Sequence, residues 1–149
     1  LGDWNWSGDW TIASGLPFTP RVLGDSGDIS RGTNGTTRAD LTGEPIASAD
    51  PTVLQWFNTG AFVAPPSGTF GDARRNSIEG PRQILFDIAF TKIVPLRDTR
   101  SLELRAQFAN IFNTPRFSSI DTVVNSPTYG QVIAVGAMRT VQLTARFRF

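Results

Sequence analysis

Residues 84–112 read ILFDIAFTKIVPLRDTRSLELRAQFANIF, and this stretch decides the fold. Each of its halves alternates apolar and polar residues with a period of two, which predicts strands whose two faces meet different surroundings. Between the halves, Arg97, Asp98 and Thr99 can form a tight turn. The stretch therefore predicts an antiparallel hairpin.

The alternation also predicts the register of this hairpin. Placing Phe90 opposite Ala106, and Ile88 opposite Phe108, keeps the apolar residues of both strands on one face. Lys92 is the exception, since it then falls on the apolar face. We expect it either to extend its amine to the rim of the sheet or to lie at a β-bulge.

Two further stretches show the same design, DWNWSGDWTI at residues 3–12 and RTVQLTARFRF at residues 139–149. We therefore predict an all-β fold, an antiparallel sheet of about four long amphipathic strands over residues 3–14, 83–95, 101–112 and 138–149. Four strands cannot close a barrel, so the sheet needs neighbouring strands or other copies of the chain.

The alternation assigns the strand residues to two faces. The apolar face, predicted to meet lipid or an assembly partner, comprises Trp4, Trp6, Trp10, Phe86, Ile88, Phe90, Leu102, Leu104, Phe108, Val141, Leu143, Phe147 and Phe149. The polar face, predicted to line a lumen, comprises Asp87, Glu103, Arg105, Gln107, Gln142, Arg146 and Arg148, with Asp9 on the first strand. A solvated sheet face is the simpler alternative for these charges.

The remaining connections are long and rich in turn-forming residues. We treat residues 1–149 as a single segment with two long loops, residues 15–81 and residues 113–137, the first of them of the extracellular type. Within the first loop, WFNTGAFVAPPSGTFG at residues 56–71 has enough aromatic residues to predict an ordered segment.

Composition excludes several classes of function. The chain has no cysteine and no histidine, which removes disulfides, the usual zinc sites and histidine-based triads. A net charge of +1 and the lack of a basic aromatic ladder argue against nucleic acid as a partner. Asp72, Arg74, Arg75 and Glu79 could bind a carboxylate or a sugar, but they are better explained as turn formers and solvated groups. We expect no enzyme activity, cofactor or metal.

The length of the strands matches a membrane. Eleven residues at ~3.3 Å each reach about 36 Å, and a tilt of ~40° projects this to roughly 27 Å, close to the apolar band of an outer-membrane barrel. Bacterial barrels have short periplasmic turns and long outer loops, so the turn at Asp98 and the last strand's end are predicted to be periplasmic. Trp4, Trp6, Phe147 and Phe149 would then form an aromatic girdle.

The chain as a whole resembles the C-terminal end of TonB-dependent receptor-like outer-membrane proteins, especially the Oar-like group. The ordered segments that resemble the family are GDWTIASGLPFTP (8–20), WFNTGAFVAPPSGTFGDARRNSIEGPR (56–82), FDIAFTKIVPL (86–96), LELRAQFANIFNTPRF (102–117), YGQV (129–132) and VQLTARFRF (141–149). The resemblance implies a parent protein with a plug, a TonB-contacting segment and a barrel of about 22 strands that imports large nutrients. It implies no particular substrate-binding residue here.

Three functional hypotheses follow. In the first, the chain is a non-catalytic fragment that begins at Leu1 either because its parent was cut there or because it was truncated by design. Its open edges and apolar face pair with other copies to form an oligomer or filament, which could be released outside the cell. In the second, it remains a wall segment of an intact nutrient-uptake receptor in the bacterial outer membrane, next to lipid and the parent's other strands. In the third, it is a soluble carbohydrate-binding β-sandwich that uses Trp4, Trp6, Trp10 and Trp56 as stacking platforms.

Overall fold

The computed structural model of the protein describes residues 4–24 and 36–149, so the predicted first strand residue, residue 3, lies outside the described part. The strands are β1 (Trp4–Ala13), β2 (Pro17–Phe18), β3 (Arg21–Leu23), β4 (Thr36–Arg38), β5 (Asp40–Leu41), β6 (Phe62–Val63), β7 (Ile78–Glu79), β8 (Gln83–Pro95), β9 (Ser101–Ala109), β10 (Phe117–Ile120), β11 (Val132–Val135) and β12 (Thr140–Arg148). A single 3₁₀ turn, Thr59–Ala61, is the one helical element among these residues. No helix in the described ranges has the length and apolar character needed to cross a membrane.

The described chain divides into two compact units. The first, which we call the sheet unit, comprises Leu1–Ala13, Gln83–Arg116 and Gly136–Phe149. The second, the loop unit, comprises Ser14–Arg82 and Phe117–Val135. All four long strands belong to the sheet unit, and the short strands belong to the loop unit.

The sheet unit confirms the predicted all-β fold. Its strands pair antiparallel in the order β1-β8-β9-β12, which is also their order along the chain. The predicted hairpin register is correct, because Phe90 pairs with Ala106 and Ile88 with Phe108. Residue pairing continues without a shift along all three strand interfaces.

The hairpin turn lies where the sequence predicts it. Leu96 donates its backbone N–H to the carbonyl oxygen of Arg100 at 2.9 Å, which closes the turn. Asp98 has a φ of 61°, a left-handed conformation that Asp and Asn adopt more readily than most residues. A short polar turn therefore joins β8 to β9, as the pairing pattern requires.

The last two long strands of the sheet, β9 and β12, are shorter than predicted. β9 ends at Ala109 and not at residue 112, because Asn110 has a φ of 51° and leaves the extended conformation. The Asn110 side chain then accepts the N–H of Thr114 and donates to the Thr114 carbonyl, both at 2.9 Å. This closed polar loop stabilises a turn where the apolar pattern of residues 111 and 112 suggested strand. β12 similarly covers Thr140–Arg148 only.

The loop unit contains a true hydrophobic core. Every buried hydrophobic residue of the described chain belongs to it: Val22, Ala39, Phe57, Ala61, Phe62, Ala73, Ile78 and Ile120. The segment predicted to be ordered, residues 56–71, supplies Phe57, Ala61 and Phe62 to this core. Phe57 packs edge-on against Phe62 and against Tyr129, at ring-centroid distances of 6.1 and 5.4 Å. The long loops thus fold around their own apolar side chains.

Close backbone packing supports this core at Gly71. A Cβ atom at this position would lie 2.1 Å from the carbonyl oxygen of Arg38 and 2.4 Å from that of Ala39. Both contacts are with backbone, which cannot move aside as a flexible side chain can. Glycine is therefore required for the close approach of this segment to β4.

Candidate functional site: the two faces of the sheet

The continuous register assigns every predicted strand residue to the expected face. On one face lie Trp4, Trp6, Trp10, Phe86, Ile88, Phe90, Leu102, Leu104, Phe108, Val141, Leu143 and Phe147. Rows of these residues run across the sheet; one row, for example, joins Trp6, Phe90, Ala106 and Leu143. Phe149 follows the last residue of β12 and is 94% exposed.

This apolar face is uncovered. Leu143 is 76% exposed and Trp6 is 69% exposed, and even Phe90 on the central strand β8 remains 38% exposed. A contiguous apolar surface across four strands is much larger than the patches that soluble monomers usually expose. The face therefore needs a covering partner that the described chain does not supply.

Aromatic residues lie along the whole length of the apolar face, and Phe90 and Phe108 form an edge-on pair in its middle at a ring-centroid distance of 6.3 Å. Trp6 lies in the row of Phe90, four residues along β8 from the row of Phe147, so the prediction that Trp4, Trp6, Phe147 and Phe149 form one girdle is wrong for Trp6. At the end away from the hairpin turn, Phe86 lies 5.6 Å from Trp10 and 5.7 Å from Phe112, measured between ring centroids. At the turn end, Phe147 lies 6.1 Å from Phe149. The rows of Phe86 and of Phe147 are eight residues apart on β8, about 26 Å along the strand and roughly 20 Å after a tilt of ~40°.

Lys92 remains on the apolar face without a bulge. It pairs with Trp4 on β1 and with Leu104 on β9, and the register continues on both sides. Its Nζ lies 5.4 Å from the centroid of the Trp4 ring, a cation–π distance. The predicted β-bulge at Lys92 is therefore wrong, because the register is unbroken. The amine lies instead against the neighbouring Trp4 indole.

The opposite face carries the predicted polar residues, Asp87, Glu103, Arg105, Gln107, Gln142, Arg146 and Arg148, together with Asp9. Arg148 forms an ion pair with Glu103 on the neighbouring strand. Asp9 pairs directly with Asp87, so two carboxylates face each other across β1 and β8. One Asp87 oxygen accepts the backbone N–H of Asn110 at 2.8 Å, which anchors the chain where β9 ends.

Among the described residues of the loop unit, buried Asp121 and half-buried Tyr129 form a titratable pair. Burial opposes ionisation of Asp121, but hydrogen bonds from Ser126, from Thr128 and from the backbone N–H of Val123 outweigh it, so the pKa of Asp121 is lowered. Burial first, and the charge of Asp121 second, raise the pKa of Tyr129 from 10.0 to about 12. The Tyr129 hydroxyl has no hydrogen-bond partner in the described chain.

The charged residues singled out in the first loop serve different purposes. The Asp72 carboxylate accepts the backbone N–H of Leu41 at 2.8 Å, which ties two segments of the loop together. Arg75 lines a groove with Arg21 and Arg38, whereas Arg74 does not. The sequence did not reveal this group of arginines, because strands β3 and β4 are only three residues long and carry no periodic signal.

Trp56 differs from the other three tryptophans. Its Nε1 donates to the backbone carbonyl of Glu79 at 3.0 Å, and its ring meets Phe117 edge-on at 6.1 Å. It packs against the core of the loop unit, where its amphipathic ring is both buried in part and hydrogen-bonded. Trp56 thus acts as an anchor within the loop unit.

Comparison with known protein families identifies the family of the chain. A family model described as an outer membrane beta barrel domain matches residues 1–142. No curated protein and no solved structure matches the chain significantly.

Proposed function

The chain belongs to the family of outer membrane beta barrel domains, and from this premise we propose that its four-stranded sheet forms part of a barrel wall. The apolar face meets lipid and the polar face lines the lumen. The observation that carries this proposal is the unbroken register, which collects twelve large apolar residues on one exposed face and the charged residues on the other.

The energetics of the apolar face support a lipid environment. Side chains such as Leu143 and Trp6 would bring little stability in water, because most of their surface stays exposed. Lipid tails cover the same surface without requiring a second protein layer. The aromatic pairs at the two ends of the face, around Phe86 and Phe147, lie roughly 20 Å apart after a tilt of ~40°, close to the apolar band of about 25 Å in a barrel.

The connections between strands support an orientation. β8 and β9 are joined by the short turn at Asp98, while the connections from β1 to β8 and from β9 to β12 leave from the opposite end of the sheet and carry the loop unit. Outer-membrane barrels place short turns in the periplasm and long loops outside. We infer that the loop unit is extracellular and that the Asp98 turn is periplasmic.

Adjacent positions on β12 provide a sharp test, since the natural chain has no cysteine. Leu143→Cys and Gln142→Cys would each be labelled with an environment-sensitive fluorophore and the chain reconstituted in phosphatidylcholine vesicles. Label at position 143 should be quenched by brominated lipid tails, and label at position 142 by aqueous iodide. Equal quenching at the two positions in the vesicle-bound chain would contradict the proposal.

We further propose that the parent protein is a non-catalytic, TonB-dependent-type receptor for large nutrients. The ordered segments from residue 8 to residue 149 that resemble such receptors support this narrower assignment. The gene that encodes the chain should then also encode, upstream of Leu1, a plug domain and a TonB-contacting segment. An upstream sequence without either feature would refute the receptor assignment and leave the barrel wall intact.

The open edges of the sheet support a second candidate, self-association of the isolated chain. β1 and β12 each pair on one side only within the described residues, so each exposes unpaired N–H and C=O groups. Copies that add edge to edge would give a ring if the rotation closes and a filament if it does not. Size-exclusion chromatography and negative-stain imaging in detergent-free buffer should show large species. A stable monomer there would overturn this candidate.

A further inference from the structure

The loop unit contains a groove of about 700 Å³ that is separate from the faces of the sheet. Strands β2, β3 and β4, the segment around Arg75 and the strand β10 line it. All of its described lining residues belong to the loop unit. The volume is within the range of small-molecule sites.

The charged residues that line the groove, within the described part of the chain, are all positive. They are Arg21, Arg38 and Arg75, and no described aspartate or glutamate lines it. Arg21 and Arg38 are direct partners in the β3–β4 pair, an arrangement in which like charges repel. None of the three forms an ion pair with a described residue. The fold therefore maintains an uncompensated cluster of guanidinium groups, each of which can bind a carboxylate or phosphate through two parallel hydrogen bonds.

One of these arginines is held in place. Arg38 donates from its Nη1 to the backbone carbonyl of Ala73 at 2.9 Å, which leaves its other N–H groups for further partners. Ala73 is itself fully buried in the core of the loop unit. A guanidinium positioned by a rigid core loses less freedom on binding than a free surface arginine.

The other lining residues suit a ligand with a ring and hydroxyl groups. Phe70 is 67% exposed at the groove, although it is a large apolar side chain. Thr19, Asn76, Ser119 and Thr122 contribute short polar side chains. An exposed aromatic face beside short hydroxyl groups can contact the apolar and polar sides of a sugar ring.

We propose that this groove binds a small hydroxyl-rich anion, namely a sugar that carries a carboxylate or a phosphate group. The three guanidinium groups bind the acid group, and Phe70 packs against the ring. This site is additional to the barrel wall and does not require it, so the two proposals can fail independently.

The test uses the whole chain in detergent micelles, observed by ¹H–¹⁵N NMR. Glucuronate and glucose 6-phosphate are titrated in separate experiments, with glucose as the uncharged comparator. At least one acidic sugar should shift the amide signals of groove residues such as Thr37 and Asn76, and added salt should weaken the binding. Binding of one acid and not the other would identify the acid group within the proposed class.

Neighbouring arginines give a matched pair of variants. Arg75→Gln should weaken binding of the acidic sugar about tenfold, the effect of losing one charge-assisted contact. Arg74→Gln removes the same charge one residue away but outside the groove, and should leave affinity unchanged. The indole signal of Trp56 reports whether each variant keeps its fold. If Arg75→Gln misfolds, Arg21→Gln replaces it.

Three results would overturn the proposal. The first is the absence of amide shifts with either acid up to about 10 mM, a concentration that would reveal even weak sites. The second is binding of glucose as strong as that of the acids. The third is an equal loss of affinity in Arg74→Gln and in the folded groove variant, which would mean that net charge and not the groove attracts the ligand.

Discussion

Replacing Tyr129 by phenylalanine should remove most of the alkaline sensitivity of the loop unit. The pKa of Tyr129 is raised from 10.0 to about 12, by burial first and by the charge of Asp121 second. The folded chain therefore favours the neutral phenol. The corresponding stability is fully present below a pH of 10.0, where the unfolded tyrosine is neutral too, and is lost as the pH rises towards about 12.

The size of the effect follows from the same difference. A pKa difference of two corresponds to about 2.7 kcal/mol, and the partial exposure of the side chain lets solvent screening reduce this to about 1–2 kcal/mol. Near neutral pH the substitution should cost little or even stabilise the fold, because the Tyr129 hydroxyl has no partner to lose. The ring contact with Phe57 is retained by phenylalanine.

Urea unfolding across the alkaline range measures this directly. The chain has one tyrosine and no cysteine, so a phenol transition can be assigned to Tyr129 alone. Fluorescence of Trp56, in a background where the other three tryptophans are phenylalanine, reports on the loop unit. Tyrosinate absorbance of the folded chain gives the pKa itself. A midpoint near 10, or parallel losses of stability in the natural chain and Tyr129→Phe, would refute the reasoning.

Three further predictions concern the two units. Ile78→Ala should lower the free energy of unfolding of the loop unit by about 2–5 kcal/mol, since Ile78 is fully buried, whereas Ile12→Ala, at a site 65% exposed, should cost less than about 1 kcal/mol by urea unfolding. In vesicles, Leu143→Arg should lower the free energy of unfolding by about 2–4 kcal/mol, because position 143 lies near the bilayer midplane, whereas Gln142→Arg should leave it nearly unchanged. Both values are measured by unfolding the chain from lipid, and equal losses would contradict the assigned faces. Gly71→Ala should lower the free energy of unfolding of the loop unit by more than about 1 kcal/mol, because the added Cβ would lie 2.1 Å from the backbone carbonyl oxygen of Arg38. An unchanged urea midpoint would show that the backbone around Gly71 can shift away from Arg38.

The sheet could be predicted from the sequence because its information is local. Alternation with a period of two fixes which face each residue takes, and the short turn at Asp98 fixes the register of β8 and β9. Alternation also excludes a one-residue slip of the outer strands, but a two-residue shift would keep the same faces, so the register of β1 and β12 comes from the structure. Strand ends were harder to predict, because at Asn110 a side-chain hydrogen-bond loop decides where the extended conformation stops.

The loop unit could not be predicted in the same way. Its pairs join residues far apart in sequence, such as Phe18 with Ile78, through strands of two to four residues. Elements this short have too few residues to show a period. The sequence did indicate that residues 56–71 are ordered, because aromatic content shows that a segment can bury apolar surface. Where that surface is buried depends on contacts that only the folded chain brings together, as for Arg21, Arg38 and Arg75.

The different placement of apolar residues in the two units has a common physical explanation if the sheet borders lipid. In water, a unit must hide its apolar side chains from solvent, and the loop unit does so around Ile78 and Phe57. In a bilayer, lipid covers the side chains, and the stronger demand is that every backbone N–H and C=O be paired. The unpaired sides of β1 and β12 fail this demand. The sheet can therefore insert only after further strands pair with these edges, and those strands come either from the parent chain or from other copies. If they come from other copies, insertion depends steeply on the concentration of the isolated chain.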